Sequence, residues 1–412
     1  MNAPKNLLFL SLIDINISNI SENSIYQSLL RKFTDDFNVY ILSPIERRNL
    51  KKDDTKNNNI YNTKFIKVKI GNITKTNIIE KGISTIDIER RYLKAIKKHL
   101  SDIKFDLILY PTPPITFYKV IKYLKKRDGA MTYLMLKDIF PQNAVDLGFF
   151  SKRSPLYKYF RNREEKLYEI SDYIGCMSQA NVDYLLKHNP NLEPEKVEIL
   201  PNSIVPIDIS VNEKEKKAIR EKYNLPSDKK IFIYGGNLGK PQGIPFLLKC
   251  IESVKDIDDI LFLIIGNGTE FDYIMETKEK LILDNLIVMS RLSKDDFNKM
   301  LAASDIGIIS LDYRFSIPNY PSRFLSYMQA NLPVLAITDS NTDIGLDILD
   351  NNMGWWSKNN SVDSVKLNIE NIIQEFETES LQNMKINSFN FLKEKFDVNL
   401  TYTKIFEKLQ YK

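Results

Sequence analysis

Two cysteines and two histidines in 412 residues remove whole classes of chemistry. Cys176 and Cys250 each fall in an apolar helix or strand pattern, so a disulfide framework is excluded and both read as small buried hydrophobes. His99 sits at a helix end and His188 beside Asn189-Pro190, which supports neither a metal cluster nor a histidine-based triad. Asp256-Ile257-Asp258 has D-x-D spacing but lies in an acidic turn without further ligands, so no metal site is expected. No apolar run reaches the roughly 18 residues needed to span a bilayer. The start, Met1-Asn2-Ala3-Pro4-Lys5-Asn6, runs into Leu7-Leu8-Phe9-Leu10 without a cleavable signal, and the expectation is a cytoplasmic chain in a reducing compartment. There is no repeat array. No nucleic-acid recognition motif accompanies the basic residues, which argues against nucleic acid as a partner.

What is present is ordinary for a two-domain protein: 43% hydrophobic and 27% charged residues, too long a chain for a single core. Charge is unevenly placed, with 33 Lys+Arg against 23 Asp+Glu in residues 1–200 and 25 against 30 afterwards. Basic and aromatic residues interleave from Phe117 to Arg127 and from Lys152 to Arg161. Such segments suit either an anionic membrane surface or an ordinary solvated helix face.

Short apolar runs alternate with amphipathic helical patterns throughout, which predicts parallel sheets with crossover helices. One series of strands is expected at Leu7–Ile13, Phe37–Leu42, Phe65–Ile70, Leu107–Tyr110, Tyr133–Leu136, Tyr173–Met177 and Val197–Leu200, with helices such as Ser24–Phe33 and Ile88–Leu100 between them. A second series is expected at Ile231–Tyr234, Ile260–Ile265, Leu286–Met289, Ile306–Ile309 and Val334–Ile337. The segment Pro201–Pro206 reads as the linker, giving domains 1–205 and 206–390. A helical, aromatic stretch over about 390–412 is expected to pack back on the first domain, and Lys51–Asn62 reads as a loop.

Two segments carry chemistry. Residues 316–337 read as a turn, a short helix and a buried strand. Asn319 is the expected cap, Pro321 suits the first turn, and Pro333 ends the helix. Free N–H groups at that helix start, together with Arg323, make a seat for a diphosphate; the alternative is a plain αβ unit. The second segment, Gly235-Gly236-Asn237-Leu238-Gly239-Lys240-Pro241-Gln242-Gly243, follows a strand and precedes the helix Pro245–Val254. Its glycines permit close backbone approach and Lys240 supplies a mobile charge, though it is neither G-x-G-x-x-G nor a P-loop. Asp14 and Asn16 follow the first strand, where they either face a ligand or simply make a turn.

Taken in order, these residues resemble the family-4 retaining glycosyltransferases of the GT-B fold. Gly236 to Gly243 resembles the first loop of the family's donor domain, Ile264-Ile265-Gly266-Asn267-Gly268 its G-x-G turn, and Ser290-Arg291-Leu292 the loop beside the nucleotide base. Pro321-Ser322-Arg323-Phe324-Leu325-Ser326-Tyr327 resembles the helix start that grips the donor diphosphate. Lys137-Asp138-Ile139-Phe140-Pro141-Gln142-Asn143-Ala144 looks like the acceptor-side motif. The resemblance covers residues from about 105 to 360. It implies two Rossmann-like parallel-sheet domains with the active site in the cleft between them, a first domain that binds acceptor and a second that binds donor. The subgroup it most resembles builds bacterial capsule, O-antigen or related polysaccharides.

The resemblance also implies roles. Lys240 and Arg323 neutralise the departing diphosphate, and the N–H groups of Tyr320, Ser322 and Arg323, with Pro321 in the same segment but without a donor, bind its oxygens. Gly236, Asn237, Gly239 and Gly266 approach the nucleotide sugar, Arg291 and Leu292 flank the base, and Ser326 meets the ribose. Asp138 contacts the acceptor hydroxyl as general base or orienting acceptor, unless it is merely a helix-capping Asp; Lys137, Asp14 and Asn16 complete the acceptor side. The implied donor is a UDP-sugar carrying an N-acetylated hexose or deoxyhexose, with no metal and no cofactor. The implied acceptor is a lipid diphosphate-linked glycan, met at the inner face of the plasma membrane through the basic first domain. One departure stands out: many members carry two Glu eight positions apart where this chain has Pro318 and Ser326. The missing pair favours one rival, a catalytically silent GT-B subunit, which the retained Lys240, Arg323 and Asp138 oppose; a second, a UDP-sugar 2-epimerase, shares the architecture, but the absence of paired acids and of cleft-placed His counts against it.

Overall fold

A computed structural model describes residues 4–13, 15, 24–52, 62–73, 78–358, 360–376 and 378–410. The chain divides into two compact units, residues 1–205 with 398–412 and residues 206–397. Asp14, Asn16 and most of the expected loop Lys51–Asn62 lie outside the described residues.

In the first unit the strands are β1 (Lys5–Leu10), β2 (Phe37–Glu46), β3 (Thr63–Ile70), β4 (Leu107–Pro111), β5 (Met131–Leu136), β6 (Tyr173–Cys176) and β7 (Val197–Ile199). They form one parallel sheet in the order β3-β2-β1-β4-β5-β6-β7. Leu7 to Leu10 and the whole of β4 and β5 are buried. This is why these strands read as unbroken apolar runs rather than alternations: helices cover both faces of such a sheet. Leu7, Phe9, Val39, Ile41, Leu107 and Leu109 form the core against the helices Ile25–Phe33 and Val398–Gln410.

The second unit holds β8 (Lys230–Asn237), β9 (Ile260–Asn267), β10 (Leu286–Met289), β11 (Ile306–Ser310), β12 (Val334–Thr338) and β13 (Gly354–Lys358), again all parallel, in the order β10-β9-β8-β11-β12-β13. The order reverses at β8 and β11. In open α/β sheets the crevice beyond the strand C-termini at such a reversal is where ligands are held.

Three expectations change. The strand β13 is additional to the five expected in this series, and the helix expected at Ile88–Leu100 begins ten residues earlier, as Ile78–His99. The terminal stretch over about 390–412 is two helices rather than one. Glu379–Phe396 belongs to the second unit and only Val398–Gln410 to the first. Val398 N–H donates to the Ile204 carbonyl at 3.0 Å where the chain re-enters the first unit.

Candidate active site

In the second unit the site residues gather beyond the C-termini of β8, β9 and β11. Strand β8 ends in Gly235, whose Cβ would lie 2.3 Å from the Phe297 ring, and Gly236, which takes φ +124°. Only glycine adopts that conformation without strain. What faces Gly236 is Arg323: a Cβ there would sit 3.9 Å from the guanidinium carbon and Nη2. The same guanidinium stacks over the Tyr234 ring at 4.2 Å and donates from Nη2 to Gln242 Oε1 at 2.5 Å. The Tyr234 hydroxyl donates to Gln242 Oε1 and to the Asn237 carbonyl, both at 3.1 Å. Gly235 N–H donates to the Tyr327 hydroxyl, which in turn donates to the Ile308 carbonyl at 2.9 Å. Burial pushes that phenol up to about 12, so it stays neutral. Arg323 is thus fixed by an aromatic face, an amide oxygen and two nearby phenols. Its Nη1 is buried and makes no hydrogen bond among the described residues. A buried guanidinium nitrogen without an acceptor is costly in a finished fold, and an anionic oxygen is the acceptor that suits it.

The helix behind Arg323 is not the one the sequence suggested. It spans Arg323–Gln329, seven residues with Ser322 at its N-cap, and Asn319 does not cap it. Asn319 N–H donates to Thr342 Oγ1 at 3.0 Å and its side chain to the Ile317 carbonyl. Tyr320 also turns away: its hydroxyl donates to Asp347 Oδ2 at 2.6 Å and its ring packs beside Phe324 and Phe396. Pro321 is half-buried, Ser322 exposed and Ser326 half-buried; Pro318, where a Glu was looked for, is buried. With so short a helix the macrodipole is a minor contributor, and the guanidinium is the main positive charge.

Gly236 and Asn237 are exposed, Gly239 is buried, and Lys240 is exposed at the start of the single 3-10 turn Lys240–Gln242. Gly243 closes this turn at φ +59°, where a Cβ would stand 2.8 Å from the Leu311 carbonyl oxygen. Gly266 has a different reason to be glycine: a Cβ would lie 1.9 Å from the Gly236 carbonyl oxygen, so it lets β9 approach β8. Asn267 Oδ1 accepts from Arg291 N–H at 3.1 Å, which ties the Ser290–Leu292 loop to the end of β9; the Arg291 side chain is exposed and Leu292 half-buried.

In the first unit, β5 delivers Lys137 and Asp138. Thr112 Oγ1 accepts from both backbone N–H groups, at 3.0 and 3.2 Å, and donates to the Asp138 carbonyl at 3.0 Å. Asn143 Nδ2 donates to both Asp138 carboxyl oxygens at 2.8 Å. Asp138 is not a helix cap; Pro141 takes that place for Gln142–Asp146. Burial pushes the Asp138 carboxyl up to about 6, against the opposing hydrogen bonds from Asn143 and the Ile139 N–H. Lys137 spans from β5 to the Leu200 carbonyl, 3.3 Å away, and burial brings it down to about 7. Lys137 therefore serves as a structural tie in this structure.

The residues that do the positioning, Tyr234, Gln242, Tyr327, Thr112 and Asn143, were not singled out from sequence. Gln242 and Asn143 lie inside the motifs already quoted, but nothing local says that their amides reach back to Arg323 and Asp138.

Comparison with known proteins bears on the family and the fold. Residues 215–391 match the family described as Glycosyl transferases group 1. The chain is 24% identical to the glycosyltransferase WbjE of Pseudomonas aeruginosa over 283 residues, 68% of this chain and 69% of that protein. It is 22% identical to WcaI of Escherichia coli, named for colanic acid biosynthesis as a glycosyl transferase, over 59% of this chain and 60% of that one. Among solved structures, Anabaena HepE in complex with UDP superposes with a TM-score of 0.69 at 13% identity, covering 99% of this chain and all of the other, a likeness of fold. Residues 215–391 thus match glycosyl transferases group 1, in a chain whose two parallel-sheet units have the GT-B fold.

Proposed function

We propose that this protein is a retaining glycosyltransferase of family 4 that moves a sugar from a UDP-sugar to a glycan acceptor, in the assembly of a bacterial surface polysaccharide such as a capsule or O-antigen. The observation that carries the reading is Arg323, clamped between the Tyr234 ring and Gln242 against Gly236, with a buried Nη1 that has no acceptor among the described residues. A preorganised cation of this kind suits the diphosphate charge that develops as the sugar's C1–O bond breaks. Lys240 would share that charge from its exposed loop, and Arg291 and Leu292 would flank the base. UDP as the nucleotide is supported by its presence in the HepE complex.

On the acceptor side, Asp138 would receive or orient the attacking hydroxyl, held by Asn143. The new C–O bond forms as the bond to the diphosphate breaks, and the hydroxyl proton passes to the departing phosphate or to Asp138. No step calls for a metal or cofactor. The donor sugar is proposed as an N-acetylated hexose or deoxyhexose. Exposed Phe149 and Leu156 stand among Lys152, Arg153 and Lys158, a combination that suits an anionic membrane and hence a lipid diphosphate-linked acceptor reached from the cytoplasmic side.

UDP release from UDP-sugars, measured with and without a lipid-linked glycan, tests the reading. Release that depends on acceptor and is lost in Arg323→Ala is expected. No release from any donor would favour a silent subunit, the rival that Pro318 and Ser326 invite, and conversion of the sugar without release of UDP would favour an epimerase. Indifference to anionic vesicles would remove the membrane part alone.

A further inference from the structure

The second unit holds a cavity of about 640 Å³ that has no part in the chemistry above. It opens at the other end of the sheet: Lys230 is the first residue of β8 and Asp305 immediately precedes β11. Six residue steps along β8 at about 3.3 Å each separate Lys230 from Gly236, so the cavity and the Arg323 clamp lie about 20 Å apart.

Its lining is cationic. Lys216, Lys217 and Arg220 come from the helix Glu213–Lys222, Lys229 and Lys230 from the approach to β8, and Lys385 from the helix Glu379–Phe396. Against these six stand three carboxylates, and the innermost is already committed. Asp305 pairs with Lys216 through Oδ1, accepts from Arg220 Nη2 through Oδ2 at 2.7 Å, and accepts the Ile231 N–H at 2.7 Å. Arg220 is itself satisfied by the carbonyls of Ala303 and Lys229, both at 2.9 Å. This salt-bridged floor is complete without a ligand. The walls are not: Lys385 is half-buried and forms no hydrogen bond or ion pair among the described residues. Burial and the neighbouring Lys216 both disfavour its charge, while Asp305 and Glu213 only partly offset them. Lys217 lines the same cavity and is exposed, and Lys230 reaches Asp259 only at 3.9 Å.

We propose that this cavity is a second anion site, which takes a small phosphorylated anion of diphosphate size and holds it by Lys217, Lys229, Lys230 and Lys385. Several converging ammonium groups in a recess fit a multiply charged anion better than a carboxylate, because one phosphate oxygen can meet each cation. The lining offers one aromatic ring, Phe376, over which Lys230 already sits at 5.1 Å, so the phosphate group and not a base supplies the recognition.

Inorganic pyrophosphate is the probe, titrated calorimetrically into the Arg323→Ala protein so that the donor clamp does not contribute. Binding is expected there, weakening at least tenfold when Lys217→Ala and Lys385→Ala are added. In a background with Arg323 intact, the same lysine pair is expected to leave UDP binding and UDP release unchanged. Pyrophosphate binding that is absent, or undiminished by the lysine substitutions, would overturn the proposal. Inorganic phosphate and a nucleoside diphosphate serve as separate arms: equal affinity for pyrophosphate and the nucleoside diphosphate supports recognition of the phosphates alone, whereas binding of the nucleoside diphosphate only would overturn it. Failure of the glycosyltransferase reading would appear as lost UDP chemistry, a result independent of these lysines.

Discussion

Arg323 is a side chain whose surroundings were built before its ligand arrives, and Gln242 is the residue that fixes its reach. A hydrogen bond to a charged group contributes about 1.5–3 kcal/mol. Gln242→Leu keeps the volume near the Tyr234 hydroxyl but removes the acceptor for Nη2. It is expected to weaken UDP binding about tenfold with little change in melting temperature, read by titration calorimetry and a thermal scan. Asp138 obeys the opposite logic. Its pKa of about 6 lies above the ordinary aspartate value, so the folded state holds a proton that the unfolded chain releases. Asp138 therefore favours folding more at low pH, and its contribution declines as pH rises from about 4 through about 6. As a base it works above that pKa, and kcat/KM should climb across the same interval. Asn143→Leu takes away two hydrogen bonds that favour the carboxylate, and the acid limb of the pH–rate profile should move to higher pH. The type and place of Arg323 and Asp138 were legible in the sequence. Their partners were not, because Gln242 lies 81 positions from Arg323 and the contact exists only once β8 and β11 are neighbours.

At the level of elements, two glycines that look alike in sequence have different duties. Gly266 stands where a Cβ would be driven into the Gly236 carbonyl, between paired strands that have little freedom to part. Gly266→Ala is expected to cost about 1–3 kcal/mol of stability, seen as a lower denaturation midpoint. Gly236→Ala clashes with nothing but must hold φ +124°, so its cost is backbone strain, and its methyl stands in ordinary contact, 3.9 Å, with the Arg323 guanidinium. The larger loss there is expected in UDP affinity. The strands β8, β9, β11 and β12 were readable because parallel strands buried on both faces are written in continuous apolar residues. The strand β13 escaped because its run, Gly354-Trp355-Trp356-Ser357-Lys358, opens on glycine and ends in serine and lysine, leaving too little apolar sequence to stand out without its neighbour β12. The Arg323 helix was read with a cap and a dipole; the structure gives it seven residues and a different cap, which transfers the phosphate argument from the element to one side chain.

At the scale of the whole chain, the two α/β series, the break near residue 205 and the return of the last stretch to the first unit were visible in composition and punctuation, while the start of that return at Val398 rather than near residue 390 was not. It depends on contacts between the two ends of the sequence. Phe33 meets the Tyr402 ring at 4.9 Å, Phe37 meets Phe406 at 6.1 Å, and Ile405 is fully buried in the same cluster. Full burial of such a side chain is worth about 1.5–3 kcal/mol, so Val398 and Ile405, helped by the half-buried Phe406, contribute on the scale of the about 5–15 kcal/mol that holds a domain folded. Ending the chain at Asp397 is expected to abolish the melting transition of the first unit and preserve that of the second, which differential scanning calorimetry would resolve as one transition in place of two.

The hydrogen bond from Val398 to Ile204 marks where the chain returns to complete a unit it left at residue 205. During synthesis, the seven-stranded sheet is made first and finished last. Its helix Val398–Gln410 emerges only after all of residues 206–397, a wait of about 10–40 s at about 5–20 residues per second. For that interval the Phe33 and Phe37 surface has no cover on the nascent chain, while the later-made unit is already free to fold. The first unit is thus the earlier made and the later completed.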